Sequence, residues 1–205
     1  MLLDLAVAGL GEYPPAETLM AQCREAGATR LLPYALHVLA QAHMYRGRHG
    51  QASGIATEGL RLASKSGQFH HASRLKGLLA WLAAVEGEEA LARFEGLWSG
   101  GPFHGAARLA PDHIEAAVRC GRPDQASRPL ALLEAWAGRS GDPLVAAVAL
   151  RCQALTGRGK QAARCYETAM RLHEGIDQPY EQARTLLAFG EWLRRARRRS
   201  AARTG

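Results

Sequence analysis

Apolar residues, chiefly Ala and Leu, run along this chain in helix-length stretches broken by Gly, Pro and polar residues. Ala and Leu have favourable helix propensities, while strand-forming Val, Ile and Thr are sparse. The breaks leave two alternating sets of segments. Helix A segments cover about residues 31–46, 69–86, 110–120, 143–156 and 179–196. Helix B segments cover about 14–27, 51–65, 88–98, 123–139 and 159–174. Gly100-Gly101-Pro102 separates two pairs, Pro111 suits a first helical turn, and Asp142-Pro143 and Gln178-Pro179 each open a helix. The pattern predicts an all-α chain.

A repeat underlies the alternation. Turn positions at Gly11, Gly47, Gly87, Gly121, Gly157 and Arg197 are spaced by 36, 40, 34, 36 and 40 residues. Five residues after each stands an alanine: Ala16, Ala52, Ala92, Ala126, Ala162 and Ala202. Glycine ends a helix by entering the left-handed conformation cheaply. A small residue early in the next helix lets two backbones approach. This predicts a tetratricopeptide-like α-solenoid of about five antiparallel helix pairs. Residues 1–205 read as a single helical-repeat domain truncated at both ends, with a looser first part, 1–101, and a second part, 102–205. Residues 1–10 read as the stub of a first helix A, and "SAARTG" at the far end is too short for a last helix B. Stacked repeats need polar caps, so uncapped ends favour self-association.

Several segments carry a family resemblance. "APDHIEAAVRCGRPDQA" at 110–126, "LEAWA" at 133–137, "ALRCQAL" at 149–155 and "QPYEQARTLLAFGEWLRRARRR" at 178–199 resemble the central helical-repeat region of the large ATP-binding LuxR-family transcriptional regulators. The resemblance is close in the second half and general in the first. It implies an array that senses an effector or partner and couples it to an ATPase and a helix-turn-helix. Neither of those parts is carried by these residues. A phosphate loop needs GxxxxGK[ST] between a strand and a helix. "GRGK" at 157–160 has the wrong spacing and lies at a helix turn.

In tetratricopeptide arrays helix A lines the concave groove. Counting back six residues from each turn gives Gln41, Trp81, Glu115, Arg151 and Glu191. Counting back thirteen gives Tyr34, Arg74, Arg108, Leu144 and Arg184, and counting back ten adds His37. Arg108 precedes Pro111 and falls before the expected helix. The others mix charge and aromatic rings as adaptable interaction surfaces do, and Trp81 stands out because Trp is enriched at binding hot spots. The plain alternative is ordinary exposed helix residues, with Trp81 in the core between repeats.

Charge narrows the function classes. The formal net charge is +7, and six arginines between Arg194 and Arg203 account for all but one unit of it. The body therefore lacks the broad basic field of a nucleic-acid binder. Trp192 and Leu193 continue the helix A pattern into the arginines, which suit a helix C-terminus. No specific nucleic-acid contact by this chain is expected. The histidines show no ligand spacing: His37 and His43 are six apart, and the adjacent His70 and His71 point to different faces. Asp112 before His113 reads as serving the amides of a helix start. Glu86, Glu88 and Glu89 read as a solvated helix start. No local nucleophile motif appears, so neither metal, cofactor nor catalysis is expected. Cys23, Cys120, Cys152 and Cys165 form no CxxC pair and read as small core residues in a reducing interior. The longest apolar stretches, 77–85 and 143–150, are about half of the ~20 residues a membrane span needs. The expectation is a cytoplasmic, non-catalytic module that binds a protein or small effector in its groove. The alternative is a free-standing adaptor binding a protein or peptide there.

Overall fold

A computed structural model describes residues 16–83, 88–99 and 106–204 of the protein. The described residues form ten α-helices and no strand. They are α1 (Ala16–Glu25), α2 (Leu32–Tyr45), α3 (His49–Lys65), α4 (Phe69–Leu82), α5 (Glu88–Ser99), α6 (Ala106–Arg119), α7 (Ser127–Ser140), α8 (Pro143–Thr156), α9 (Gly159–His173) and α10 (Pro179–Thr204). A 3-10 turn, Pro123–Ala126, precedes α7. The chain divides into two compact units, Met1–Gly105 and Ala106–Gly205. None of the described helices is long and apolar enough to cross a membrane.

In the first unit each helix packs on the next, and α2 also reaches α4. The sequence of α2, LPYALHVLAQAHMY, is apolar nearly all round, so it is buried nearly all round. The neighbouring α3 buries only Ala52, Ala56, Gly59 and Ala63, one small residue per turn. A Cβ on Gly59 would stand 3.1 Å from Leu75 Cδ2 and 3.2 Å from Leu36 Cβ, so the missing side chain lets three helices meet there. Leu36 and Leu75 are fully buried around this stripe, and Phe94 of α5 is fully buried as well. Each contributes about 1.5–3 kcal/mol by leaving water.

In the second unit α6, α7, α8, α9 and α10 again pack in order, and α6 reaches α8 while α8 reaches α10. Asp142 caps α8 through Leu144 N at 2.9 Å, ahead of Pro143 in its first turn. Tyr166 of α9 stacks on Phe189 of α10 at 5.0 Å between centroids, with Trp192 beside both.

The predicted turns divide into confirmed and corrected ones. Gly47 and Gly121 are left-handed, at φ of 72° and 71°, as their role requires. Gly157 is not; it is extended, at φ −84° and ψ 177°. A Cβ there would lie 2.8 Å from Gln153 O, so glycine serves a close approach, and Gly159 takes the left-handed turn instead. The repeat is also finer than the count assumed. Gly27, Gly47 and Gly67 are left-handed at steps of twenty residues, as are Gly121 and Gly141. In the pairs α2–α3 and α6–α7 both helices therefore end by one device. Of the counted alanines, Ala52, Ala126 and Ala162 are wholly buried. Ala92 is exposed, because α5 buries Ala90, Leu91 and Phe94, and position 92 lies about 100° away from that stripe. Gly11, Glu86, Gly87 and the Gly100-Gly101-Pro102 break lie outside the described residues, as do residues 1–10 and the side chain of Ala202.

Three helix boundaries need correction. Helix α6 begins at Ala106, so Pro111 and Asp112 lie inside it and not at its start. Ala106 and Ala110 are buried, and that burial outweighs the single backbone bond Pro111 cannot make. The segment expected at 123–139 is a 3-10 turn followed by α7. Pro129 has no N–H for the carbonyl of residue 125, which suits the first turn of an α-helix that starts at Ser127 rather than at 123. Helix α10 does not stop at 196: Arg197 lies within it, and the backbone stays helical to Thr204. Nothing between 191 and 204 breaks a helix, and Arg and Ala rank among the best helix formers.

Candidate functional site

Three of the counted groove residues meet in the second unit. Glu115 comes from α6, Arg151 from α8 and Arg184 from α10. Arg184 Nη2 lies 2.8 Å from Glu115 Oε1, and Arg151 Nε lies 3.6 Å from the same oxygen. Two more carboxylates complete the cluster. Asp112, one turn before Glu115, pairs with Arg184 Nη2 at 2.7 Å. Glu181, one turn before Arg184, accepts from Arg151 Nη1 at 2.7 Å and pairs with Arg184 Nη1 at 3.3 Å. Spacing of three residues brings each pair onto one helix face.

Burial grades across the cluster. The Arg151 side chain is 0% exposed and Glu181 9%, whereas Arg184, Glu115 and Asp112 are 16–20% exposed. The inner end is closed by Thr185 and His173. Arg151 Nη1 also donates to Glu181 O and Thr185 Oγ1, each at 3.3 Å. The Thr185 hydroxyl donates to Glu181 O at 3.0 Å and has His173 Nε2 at 3.0 Å. With its proton committed to the carbonyl, Thr185 accepts from His173, so that ring carries its proton on Nε2. Its Nδ1 is buried without a partner, as is Arg151 Nη2.

The titration behaviour follows from this geometry. Burial raises the Asp112 carboxyl above its usual value against the pull of Arg184. Burial alone would raise Glu181 too, but Arg184 and Arg151 outweigh it and hold that carboxyl low. Burial opposes the charge on Arg184, yet Asp112, Glu115 and Glu181 hold it well above the ordinary arginine value. Burial and then Arg151 lower His173, which keeps the ring neutral. Three carboxylates face the two guanidiniums, and the other oxygen of Glu115, Oε2, also meets exposed Arg119 at 3.7 Å. Cys152, next to Arg151, is fully buried and its thiol is pushed up to about 12, so it supplies no thiolate near neutral pH. Among the described residues no three His, Cys, Asp or Glu side chains are placed to hold a metal ion.

The other counted residues lie elsewhere. In the first unit, Tyr34 on α2 sits 5.8 Å from the His71 ring on α4, and His71 touches His70 at 5.5 Å. His37 is buried, Arg74 half-buried, and Gln41 Nε2 donates to Tyr45 Oη at 3.3 Å. Trp81 is half-buried, edge-on to His49, and packs against the core that includes Leu75 and Leu78. Glu191 pairs with Arg195 along α10 at 3.2 Å. Arg108, exposed on α6, lies over the Trp136 ring at 5.8 Å.

Asp112, Glu181, Thr185 and His173 were not among the counted residues. Asp112 had been expected to serve a helix start; inside α6 it has no such amides to serve and turns to Arg184 instead. A signal for two of them was present: a carboxylate stands three residues before Glu115 and three before Arg184. His173 offered none, since it lies on α9, outside the helix A set. No protein-family model matches the chain, and no curated protein matches it.

Proposed function

We propose that this chain is a helical-repeat interaction module: a tetratricopeptide-like α-solenoid, non-catalytic in itself, like the effector-sensing centre of a LuxR-family transcriptional regulator. One observation supports the reading above the others. Residues chosen by counting back from turns in successive helix A segments meet at one seam through α6, α8 and α10. Glu115 and Arg151 share one counted place, six residues before their turns, and Arg184, thirteen before Arg197, joins them from another. The segments that resemble the regulators, 110–126, 149–155 and 178–199, also hold Asp112, Glu115, Arg151, Glu181 and Arg184.

In this reading the seam sets the angle between successive helix A segments. Its half-open edge, at Arg184, Asp112 and Glu115, is where an effector acts. A carboxylate or phosphate group would compete with Asp112 for Arg184, since a guanidinium binds such groups through paired hydrogen bonds. The output would be a changed helix angle, relayed to parts that recognise ATP and DNA.

Reading the DNA on both sides of the coding region, in all frames, tests the regulator assignment. It expects a phosphate-loop frame upstream and a helix-turn-helix frame downstream. Clean start and stop signals at codons 1 and 205 would overturn it and leave a free-standing adaptor in its place.

A further inference from the structure

Helix α10 has two apolar faces, and among the described residues only one of them is packed. The inner face holds Glu181, Thr185, Ala188, Phe189 and Trp192, packed on α8 and α9. The opposite face carries Leu186, Leu187, Gly190, Leu193, Arg194 and Arg197. At 100° per residue these six fall within about 120° of arc. Leu186, Leu187 and Leu193 are 51%, 66% and 42% exposed. An apolar face on each side is the pattern of a helix covered on both sides.

Two further features say what covers it. Gly190 is central to the outer stripe, and a Cβ there would meet nothing within 4 Å. Mid-helix glycine costs roughly 0.5–1 kcal/mol against alanine, and no internal contact here requires it. It leaves a shallow depression lined by Gly190, Leu193, Arg194 and Arg197. Gly at a crossing point lets a second helix backbone come close. The charge is one-sided as well. Arg194 and Arg197 form no ion pair among the described residues, and the stripe has no carboxylate; Glu191 lies on the flank, paired with Arg195.

We propose that the outer face of α10 is the docking site for an amphipathic helix of a partner protein, with small and aliphatic residues crossing at Gly190 and Asp or Glu facing Arg194 and Arg197. The helix-on-helix mode reads its anchors at three- and four-residue spacing, as Leu186, Leu187, Gly190 and Leu193 present them. The inference uses only the outer face of α10 and none of the ionic seam that carries the regulator reading.

A displayed library of single helices, randomised on one face and selected against the whole chain, tests it. The expected winners carry Asp or Glu near one end and small residues at the crossing. Leu187→Asp, Gly190→Leu and Arg194→Glu should each weaken a selected helix by roughly tenfold or more, the change that 1.4 kcal/mol produces. Circular dichroism should show Gly190→Leu as helical as the parent, which separates lost docking from lost folding. Winners without acidic preference, or binding indifferent to the three variants, would overturn the proposal. So would sedimentation showing the chain paired with itself through this face. Duplex DNA binding that follows Arg194 but ignores Leu187 and Gly190 would also overturn it, by making the face a phosphate site.

Discussion

The two units solve one packing problem with different chemistry. In the first, α2 and α4 meet through Tyr34 against His71, with Gln41 bonded along α2 to Tyr45. In the second, α6, α8 and α10 meet through two arginines and three carboxylates. Gln41 and Arg151 hold the same counted place, as do Tyr34 and Arg184. Counted places therefore meet a neighbouring helix in both units, Tyr34 in one and Arg151 and Arg184 in the other, but different side chains fill the approach. Rings and amides need only van der Waals contact and a partial complement of hydrogen bonds. A buried guanidinium needs carboxylates on several sides, and α6 and α10 each provide them one turn from a counted residue. Once those carboxylates exist, the arginine cannot be removed cheaply.

The largest contrast comes from exchanging equivalent residues. Arg151→Met removes the buried partner of Glu181, leaves Glu181 and Glu115 sharing Arg184, and should cost up to about 3–5 kcal/mol, the range for breaking a buried ion pair. Gln41→Met should cost less than about 1 kcal/mol, because it removes a side chain whose Oε1 is already buried without a partner. Urea denaturation of both variants checks the pair; equal losses would erase the distinction between the seams. The first unit should instead be most sensitive to apolar loss. Leu75→Ala, at a fully buried side chain against Gly59, should cost about 2–5 kcal/mol in the same assay.

A smaller effect should appear with pH. His71 and His173 both lie below the usual 6.5, chiefly through burial. The unfolded chain then binds protons that the folded chain refuses, so stability falls as pH drops through about 6.5 toward the folded values. Urea midpoints should decline between about pH 7.5 and 5.5, with His71→Gln and His173→Gln each flattening the slope. Flat midpoints in the parent would contradict the assignment. Below the usual carboxyl value of 4.5, Glu181 adds a loss peculiar to the second unit, while raised Asp112 works the opposite way. The smallest effect is expected at the exposed Arg24–Glu58 pair, 3.1 Å apart. Glu58→Ala should move stability by less than about 1 kcal/mol and less still in salt.

Local punctuation was legible and partner choice was not. Helix α8 runs over the span read from sequence, because Asp142-Pro143 and Gly157 mark its ends locally. Helix α10 overran its expected end because a repeat count cannot stop a segment that has no breaker. Pro111 misled in α6 because proline marks a helix start only where burial does not carry the helix past it. At the site, counting found the helix face for Glu115, Arg151 and Arg184. It could not show that Arg151 is sealed, since burial depends on what two other helices present. His173 and Thr185 were invisible for that reason: their roles exist only where α9 and α10 meet.

A double-mutant cycle on Arg151 and Glu181 tests the central claim, that the second unit is held by a coupled ionic seam. Arg151→Met, Glu181→Leu and the double variant would be unfolded in urea beside the parent. The account predicts that the double variant recovers stability, with a coupling above about 1 kcal/mol, within the range for residues sharing a buried network. Additive losses, with no coupling, would mean that the two charges stand beside each other without holding the helices together.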